Sequence, residues 1–307
     1  MSQGKYLLIN GEPVTEQQAT ISVRSVSARY GASVFEGIRA YKMNDDLISF
    51  NIFALTQHID RLNASLKLMQ MPVEINYNET LSNIEQLIKL NNILDDAYIR
   101  IAVFIIGEGL VDTCEPCMTS LDIYERPSVS KVKEGVSVCF SDWIKIDDHS
   151  ISPKIKCAAN YQNSRLALLK AKASGFDTLL HFTRAGKVAE SPNASFFMIK
   201  NNALVTPTKG SCILDGITRK VILEIGTELG LHSIEGDIDR TECYLADEAF
   251  LCGTACEILP INQIDHYPLQ SSKEDSITHH IKNLFFEIMR SKNKRYNHYS
   301  NFVTANW

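Results

Sequence analysis

Lys156 stands in Ile155-Lys-Cys-Ala-Ala159, an apolar setting unusual for a lysine. A lysine becomes an amine nucleophile where its surroundings disfavour the ammonium ion, and apolar neighbours do this by desolvation. Alone, the same pattern also describes a surface lysine. Lys145 and Lys154, which alternate with isoleucines, read as solvent-facing strand positions. Glu190 follows the turn Arg184-Ala-Gly-Lys187 and by itself reads as a hairpin carboxylate in water. Asp215-Gly-Ile-Thr-Arg219 opens a helix, so behind Gly216 the N–H groups of Ile217 and Thr218 face outward with the positive end of the dipole, an anion site. Cys252-Gly-Thr-Ala255 is a second small-residue turn, where the backbone at Gly253 and the Thr254 hydroxyl could meet an anion. Arg100 interrupts an apolar strand, and a buried guanidinium needs an anionic partner. That partner could be a ligand or a strand neighbour.

Cys114-Glu-Pro-Cys117 has the spacing of a redox pair or of half a zinc site. No second C-x-x-C or H-x-x-x-H follows and the pair opens no helix, so these are read as thiols in a turn, with no metal expected.

Several elements must position these residues. Tyr6–Ile9 and Pro13-Val14 flank Asn10-Gly11, a type I′ hairpin signal. Ser33–Tyr41 and Leu47–Phe50 are strand candidates. Leu55, Ile59, Leu62, Leu66 and Met69 recur at helical spacing. A further helix starts near Asn78, read as its N-cap, with Leu81, Ile84, Leu87 and Ile88 on one face. Ala97–Ile106 is a strand. The polar run from Tyr124 to Gly135 carries loop signals. Beyond it come strand Val136–Ser141, helix Tyr161–Ser174, strands Thr178–Phe182, Ser195–Ile199 and Ala203–Thr206, and helices Ile217–Leu229 and Ile277–Met289. The expectation is a two-domain α/β protein of the α+β type. Residues 1–123 form a small N-terminal domain, 124–135 an interdomain loop and 136–307 a larger strand-rich domain that holds the cofactor.

Composition limits the partners. The net charge of -5 argues against nucleic acid, which calls for a basic face. The start has one lysine and a short apolar run, too little for a signal peptide, and no stretch approaches the ~18 apolar residues of a membrane span. A cytoplasmic protein with reduced thiols is therefore expected.

Taken together, Lys156-x-x-x-Asn-Tyr161, Val188-Ala-Glu-Ser-Pro-Asn-Ala-Ser-Phe-Phe197, Asp215-Gly-Ile-Thr-Arg219 and Cys252-Gly-Thr-Ala255 resemble the fold-type IV aminotransferases, the family of branched-chain and D-amino-acid aminotransferases and aminodeoxychorismate lyase. Tyr30-Gly-Ala-Ser-Val-Phe-Glu-Gly-Ile-Arg39 and Ala97-Tyr-Ile-Arg100 are similar to the branched-chain members. The resemblance runs from about Tyr6 to Ile288. It implies pyridoxal 5′-phosphate as cofactor, Lys156 as its Schiff-base lysine and Tyr161 at its ring oxygen. It also implies Glu190 at the pyridine nitrogen, where a carboxylate keeps the ring an electron sink. Arg61 would be the charge partner of the phosphate, with Ser195, Gly216, Ile217, Thr218, Gly253 and Thr254 completing the cofactor site. Tyr30, Phe35 and Gly37 would line the substrate pocket. Tyr98, Thr254 and Ala255 would take the α-carboxylate, with Arg39 in support. Arg100 and Tyr30 would take the distal carboxylate of glutamate.

The implied reaction is ping-pong transamination between a branched-chain or similar apolar L-amino acid and 2-oxoglutarate, by a homodimer or higher homo-oligomer. The sequence also departs from the family pattern. Ser195 stands in place of the usual asparagine, Ser191-Pro-Asn193 replaces a glycine-rich run, and Arg126–Lys133 lacks the usual tryptophan and tyrosine. The alternatives are an aminotransferase of secondary metabolism with another substrate, a D-amino-acid aminotransferase or an aminodeoxychorismate-lyase-like enzyme. Outside enzymes, the rival is a cofactor carrier that kept the fold.

Overall fold

Asn10 and Gly11 adopt positive φ, 50° and 84°, and turn the chain between strands β1 (Tyr6–Ile9) and β2 (Glu12–Thr15). A type I′ turn requires this of both central residues, which is why this dipeptide stands there. The computed structural model describes residues 5–43, 48–128 and 135–304. Leu47 of the second expected strand and residues 129–134 of the expected interdomain loop lie outside the described residues.

The chain divides into two units. The first runs to Pro127 and also takes in Ile155–Ala159 and the chain from Ile288 onward. The second comprises Ser128–Lys154 and Asn160–Glu287. A single cut in the linker, as expected from the sequence, does not describe this division.

In the first unit, helix α1 (Val26–Tyr30) leads into β3 (Ser33–Lys42) and β4 (Ser49–Ile52). Helices α2 (Leu55–Leu68) and α3 (Tyr77–Leu90) follow, then β5 (Ala97–Ile105) and β6 (Cys117–Glu125). With β15 (Phe302–Thr304), the strands form a seven-stranded sheet in the order β15-β4-β3-β5-β6-β1-β2. Leu55, Ile59, Leu62 and Leu66 of α2 and Ile84, Leu87 and Ile88 of α3 pack with Val34, Ile38, Ile99, Ile101 and Val103 of the sheet. The N-cap of α3 is Asn76, not Asn78: the Asn76 side chain accepts the Glu79 N–H at 3.1 Å. Cys117 opens β6, and both Cys114 and Cys117 are free thiols.

The second unit holds β7 (Val136–Ile144), α4 (Asn160–Ala173), β8 (Thr178–Phe182), β9 (Ser195–Lys200), β10 (Ala203–Pro207) and α5 (Ile217–Glu228). Beyond these come β11 (His232–Gly236), α6 (Arg240–Tyr244), β12 (Glu248–Gly253), β13 (Glu257–Ile264), β14 (Tyr267–Pro268) and α7 (Ile277–Met289), whose last residues belong to the first unit. The sheet order is β11-β10-β9-β12-β13-β7-β8, with β14 on β13. Phe196, Met198, Ala249, Leu251 and Ile261 fill its core. Ile217, Val221 and Ile225 of α5 are buried, whereas Leu229, expected on the same face, is the exposed C-cap.

Candidate functional site

Antiparallel pairing of β3 with β5 sets Phe35 opposite Ala102, Gly37 opposite Arg100 and Arg39 opposite Tyr98. Residues two apart in a strand share a face, so Phe35, Gly37, Arg39, Tyr98 and Arg100 line one side of this sheet. Gly37 makes room for Tyr98, because a Cβ at position 37 would overlap the tyrosine's hydroxyl and ring. Burial pushes the Tyr98 phenol up to about 12. Arg39 is buried and donates from Nη1 to the Arg126 carbonyl at 2.8 Å.

Residues 155–159 run beside β3. The Phe35 N–H donates to the Lys156 carbonyl and the Ala158 N–H to the Ser33 carbonyl, each at 3.0 Å. The Lys156 N–H donates to the Ser65 hydroxyl of α2 at 3.1 Å. Its backbone is thus fixed on two sides, and Nζ lies 5.0 Å from the Phe35 ring centroid. The Arg100 guanidinium carbon is 3.9 Å from the same ring. Arg100 is exposed, not buried as its apolar neighbours suggest, and on the β6 side it stands opposite Asp122. The alternating face of β5 turns it outward while Ile99 and Ile101 go in. Tyr30, also exposed, accepts a hydrogen bond from Arg29 at 2.7 Å.

The opposite face of β3 carries Glu36, which sequence reasoning missed, and it pairs with Arg61, which was expected at the phosphate. Glu36, fully buried, accepts from Arg61 Nε at 2.6 Å and from Arg61 Nη2 at 2.9 Å. His58 donates to it from Nδ1 at 2.7 Å, the only sense in which a carboxylate can pair with that nitrogen. Burial alone would raise the Glu36 carboxyl, but Arg61 and His58 outweigh it and hold it far below the usual range. Burial lowers His58 in turn, against the pull of Glu36. A signal existed: a carboxylate in the apolar run of β3 demands buried partners.

In the second unit Glu190 is buried, which removes the reading of a hairpin carboxylate in water. Lys145 is buried as well and is not solvent-facing. Its Nζ lies 2.9 Å from Oε1 of Glu190. The Leu214 N–H reaches the same oxygen at 3.2 Å. Both contacts fall on Oε1 and leave the second carboxylate oxygen out of them. Tyr161 stands half-buried in the first turn of α4.

Three turns gather at one end of this unit's sheet. Ser195 opens β9 and pairs with Cys252 of β12. Gly216, the N-cap of α5, packs so close to Ser195 that a Cβ there would meet its hydroxyl at 2.8 Å. Gly216 has no side chain with which to cap α5, and the first N–H groups of the helix, those of Ile217 and Thr218, form the positive end of its dipole. Gly253 ends β12, and Thr254–Cys256 turn the chain into β13. A hydroxyl, a helix N-terminus and a tight hairpin turn beside one another suit an anion such as phosphate. Among the described residues, no group of three or more His, Cys, Asp or Glu could hold a metal ion.

The family model for amino-transferase class IV matches residues 33–264. The probable branched-chain-amino-acid aminotransferase of Aquifex aeolicus is 31% identical over 95% of this chain and 94% of its own length. The branched-chain amino acid aminotransferase of Thermobaculum terrenum, solved in its PLP form, superposes with a TM-score of 0.89 at 34% identity, covering all of both chains. A branched-chain amino acid aminotransferase from T.th., solved in complex with N-(5′-phosphopyridoxyl)-L-glutamate, gives 0.91 at 27% identity, again over both whole chains. The chain therefore belongs to the class IV aminotransferases, with the two-domain fold of fold type IV and a close likeness to the branched-chain enzymes.

Proposed function

We propose that this aminotransferase carries pyridoxal 5′-phosphate and moves an amino group between a branched-chain or similar apolar L-amino acid and 2-oxoglutarate in a ping-pong cycle. The observation that carries this reading is the single face of β3 and β5 that brings Phe35, Gly37, Arg39, Tyr98 and Arg100 together, with the Lys156 amine against the Phe35 ring. The donor set fits the cofactor. Ser195, Gly216, Ile217, Thr218, Gly253 and Thr254 offer N–H and hydroxyl groups to a phosphate. Glu190 offers a carboxylate oxygen to a ring nitrogen, and Lys156 offers an amine. Bound there, pyridoxal phosphate supplies the electron sink that makes the α-C–H bond of an amino acid acidic.

The residues divide the work. Lys156 would hold the cofactor through Nζ and, as a free amine, would move the α-proton of the substrate. Glu190 would face the ring nitrogen and favour its protonated form, and Tyr161 would hydrogen-bond the ring oxygen. Arg61 brings positive charge to the phosphate while shared with Glu36. Tyr98, Thr254 and Ala255 would take the α-carboxylate, with Arg39 in support. Phe35, Gly37 and Tyr30 form the apolar pocket. Arg100 and Tyr30 receive the distal carboxylate of glutamate. The T.th. enzyme, solved with N-(5′-phosphopyridoxyl)-L-glutamate, supports glutamate as one of the substrates. A site that releases the first oxo acid before it takes the second would make the cycle ping-pong.

The test is direct. Adding L-leucine alone to the holoenzyme should bleach the visible absorption band of the lysine-bound cofactor, and 2-oxoglutarate should restore it. Lys156→Ala should keep the cofactor through the phosphate turns yet lose both the band and turnover. No response to leucine, isoleucine or valine while another amine bleaches the band would overturn the substrate. We further propose a cytoplasmic homodimer or higher homo-oligomer that meets only small-molecule substrates. No helix among the described residues is long and apolar enough to cross a membrane. Sedimentation as a monomer at micromolar concentration would remove the oligomer, and recovery in a membrane or extracellular fraction would remove the compartment.

A further inference from the structure

Lys145 sits just past β7, buried, with its ammonium 2.9 Å from Oε1 of Glu190. A lysine is almost never buried without a reason, because its charge must be paired and its long side chain ordered. Its backbone is held too: the Lys145 N–H donates to the Phe182 carbonyl of β8 at 2.8 Å. Glu190 is braced from the other end, where the His181 N–H donates to its carbonyl at 3.0 Å. The Leu214 N–H joins Lys145 on Oε1. Two donors on one oxygen fix the carboxylate plane and direct the other oxygen elsewhere.

We infer that Lys145 is a positioning residue for the cofactor: it anchors Oε1 of Glu190, presents the second oxygen to the pyridine nitrogen, and keeps the shared proton on that nitrogen. The inference rests on the reading of Glu190 as the partner of that nitrogen. The physical ground is that a nearby cation favours the ionised form of a carboxylate, and burial without one favours the protonated form. Lys145 touches the carboxylate, so it acts on Glu190 more strongly than on the ring beyond. Removing the charge shifts the proton along the N–H···O hydrogen bond from nitrogen toward oxygen. The ring is then a weaker electron sink.

The experiment is a 15N resonance measurement on holoenzyme loaded with pyridoxal phosphate labelled at the ring nitrogen. The wild type should show the resonance of a protonated nitrogen. Glu190→Gln should move it to the unprotonated position, and Lys145→Met should move it part of the way. Lys145→Gln, a shorter neutral donor, should behave like Lys145→Met and serves if the methionine variant does not fold. Lys145→Arg should keep the wild-type resonance. If Glu190→Gln shifts the resonance but Lys145→Met and Lys145→Gln leave it in place, Lys145 is structural and the inference fails alone. Equal shifts in Lys145→Arg and Lys145→Met overturn it as well, since charge would not be the cause. If Glu190→Gln itself leaves the resonance unchanged, the reading of Glu190 fails and takes the inference with it.

Discussion

Glu36 holds Arg61 by two parallel hydrogen bonds, Nε to Oε1 and Nη2 to Oε2, at 2.6 and 2.9 Å. A fork-to-fork pair of this kind fixes the guanidinium plane as well as its position. Glu36→Gln removes the charge, keeps the shape and offers Arg61 one acceptor oxygen where the carboxylate offered two. Breaking a buried pair from one side costs about 3–5 kcal/mol, and the remaining amide oxygen should hold the loss near ~3 kcal/mol. The folded carboxyl lies below its ordinary value of 4.5. Its stabilisation is therefore complete above about pH 4.5 and is lost as pH falls toward the folded value. Urea unfolding should show a shallower acid slope for Glu36→Gln than for the wild type, and equal slopes would count against the pair.

Gly37→Ala should displace Tyr98, since the new methyl group and the phenol cannot occupy the same space. Overpacking of this kind costs about 1–3 kcal/mol. The cost should largely vanish in a Tyr98→Ala background, where the space is open. A double-mutant cycle by denaturant unfolding measures the coupling, and simple additivity would contradict the overlap.

His181 predicts a pH response in the second unit. Its Nδ1–H donates to the Trp143 carbonyl at 2.9 Å, and Nε2 is buried with no hydrogen-bond partner among the described residues. Protonation would place a second N–H where nothing accepts it, and burial accordingly lowers the ring from 6.5 to about 4. The unfolded chain then binds more protons than the folded one between those values. Stability should fall by about 1.4 kcal/mol per pH unit across that window, roughly 2 kcal/mol between pH 7 and pH 5. His181→Asn keeps a donor for Trp143 and does not titrate, so its loss over the same interval should be smaller by that amount. Parallel wild-type and variant profiles would rule the histidine out.

Arg100→Met tests the proposed glutamate site. Losing a charge-assisted contact to the distal carboxylate should slow the glutamate half-reaction by about 2 kcal/mol, roughly thirtyfold. The leucine half-reaction should hardly change. Equal losses in both would make Arg100 a support for Phe35, whose ring it covers.

Much of this was legible, and the failures have physical causes. Asn10-Gly11 was readable because few other residues tolerate two successive positive φ angles. The strand β3 was visible, but its uniform burial hides which residues share a face, so Glu36 passed unnoticed. At Lys145 the alternation of isoleucine and lysine misled. The chain leaves β7 after Ile144, so Ile144 is 50% exposed while Lys145 is 8% exposed. Arg100 shows the reverse, because its neighbours' apolarity belongs to the other face of β5. Asn76 and Asn78 are equally good caps in sequence, and only the side-chain hydrogen bond distinguishes them. The strand β6 is half-exposed and mixes Thr, Ser and Asp with its apolar residues, which weakens the period-two signal. Ser195, Gly216 and Gly253 were grouped only through the resemblance, since pairing of β9 with β12 and packing at the start of α5 bring together residues far apart in the chain.

The interleaved division of the chain sets the order in which it can mature during synthesis. The edge strand of the first sheet, β15, pairs with β4 some 250 residues earlier: Phe302 aligns with Asn51 and Thr304 with Ser49. The segment carrying Lys156 bonds to β3 only after a first crossing into the second unit. A nascent chain that has reached Pro127 therefore holds an unfinished sheet, with β4 unpaired on one edge and the Phe35 ring uncovered by Lys156. Completion of the first unit waits until residue 304 has been made, after every strand of the second. The half of the protein translated first is the half that closes last.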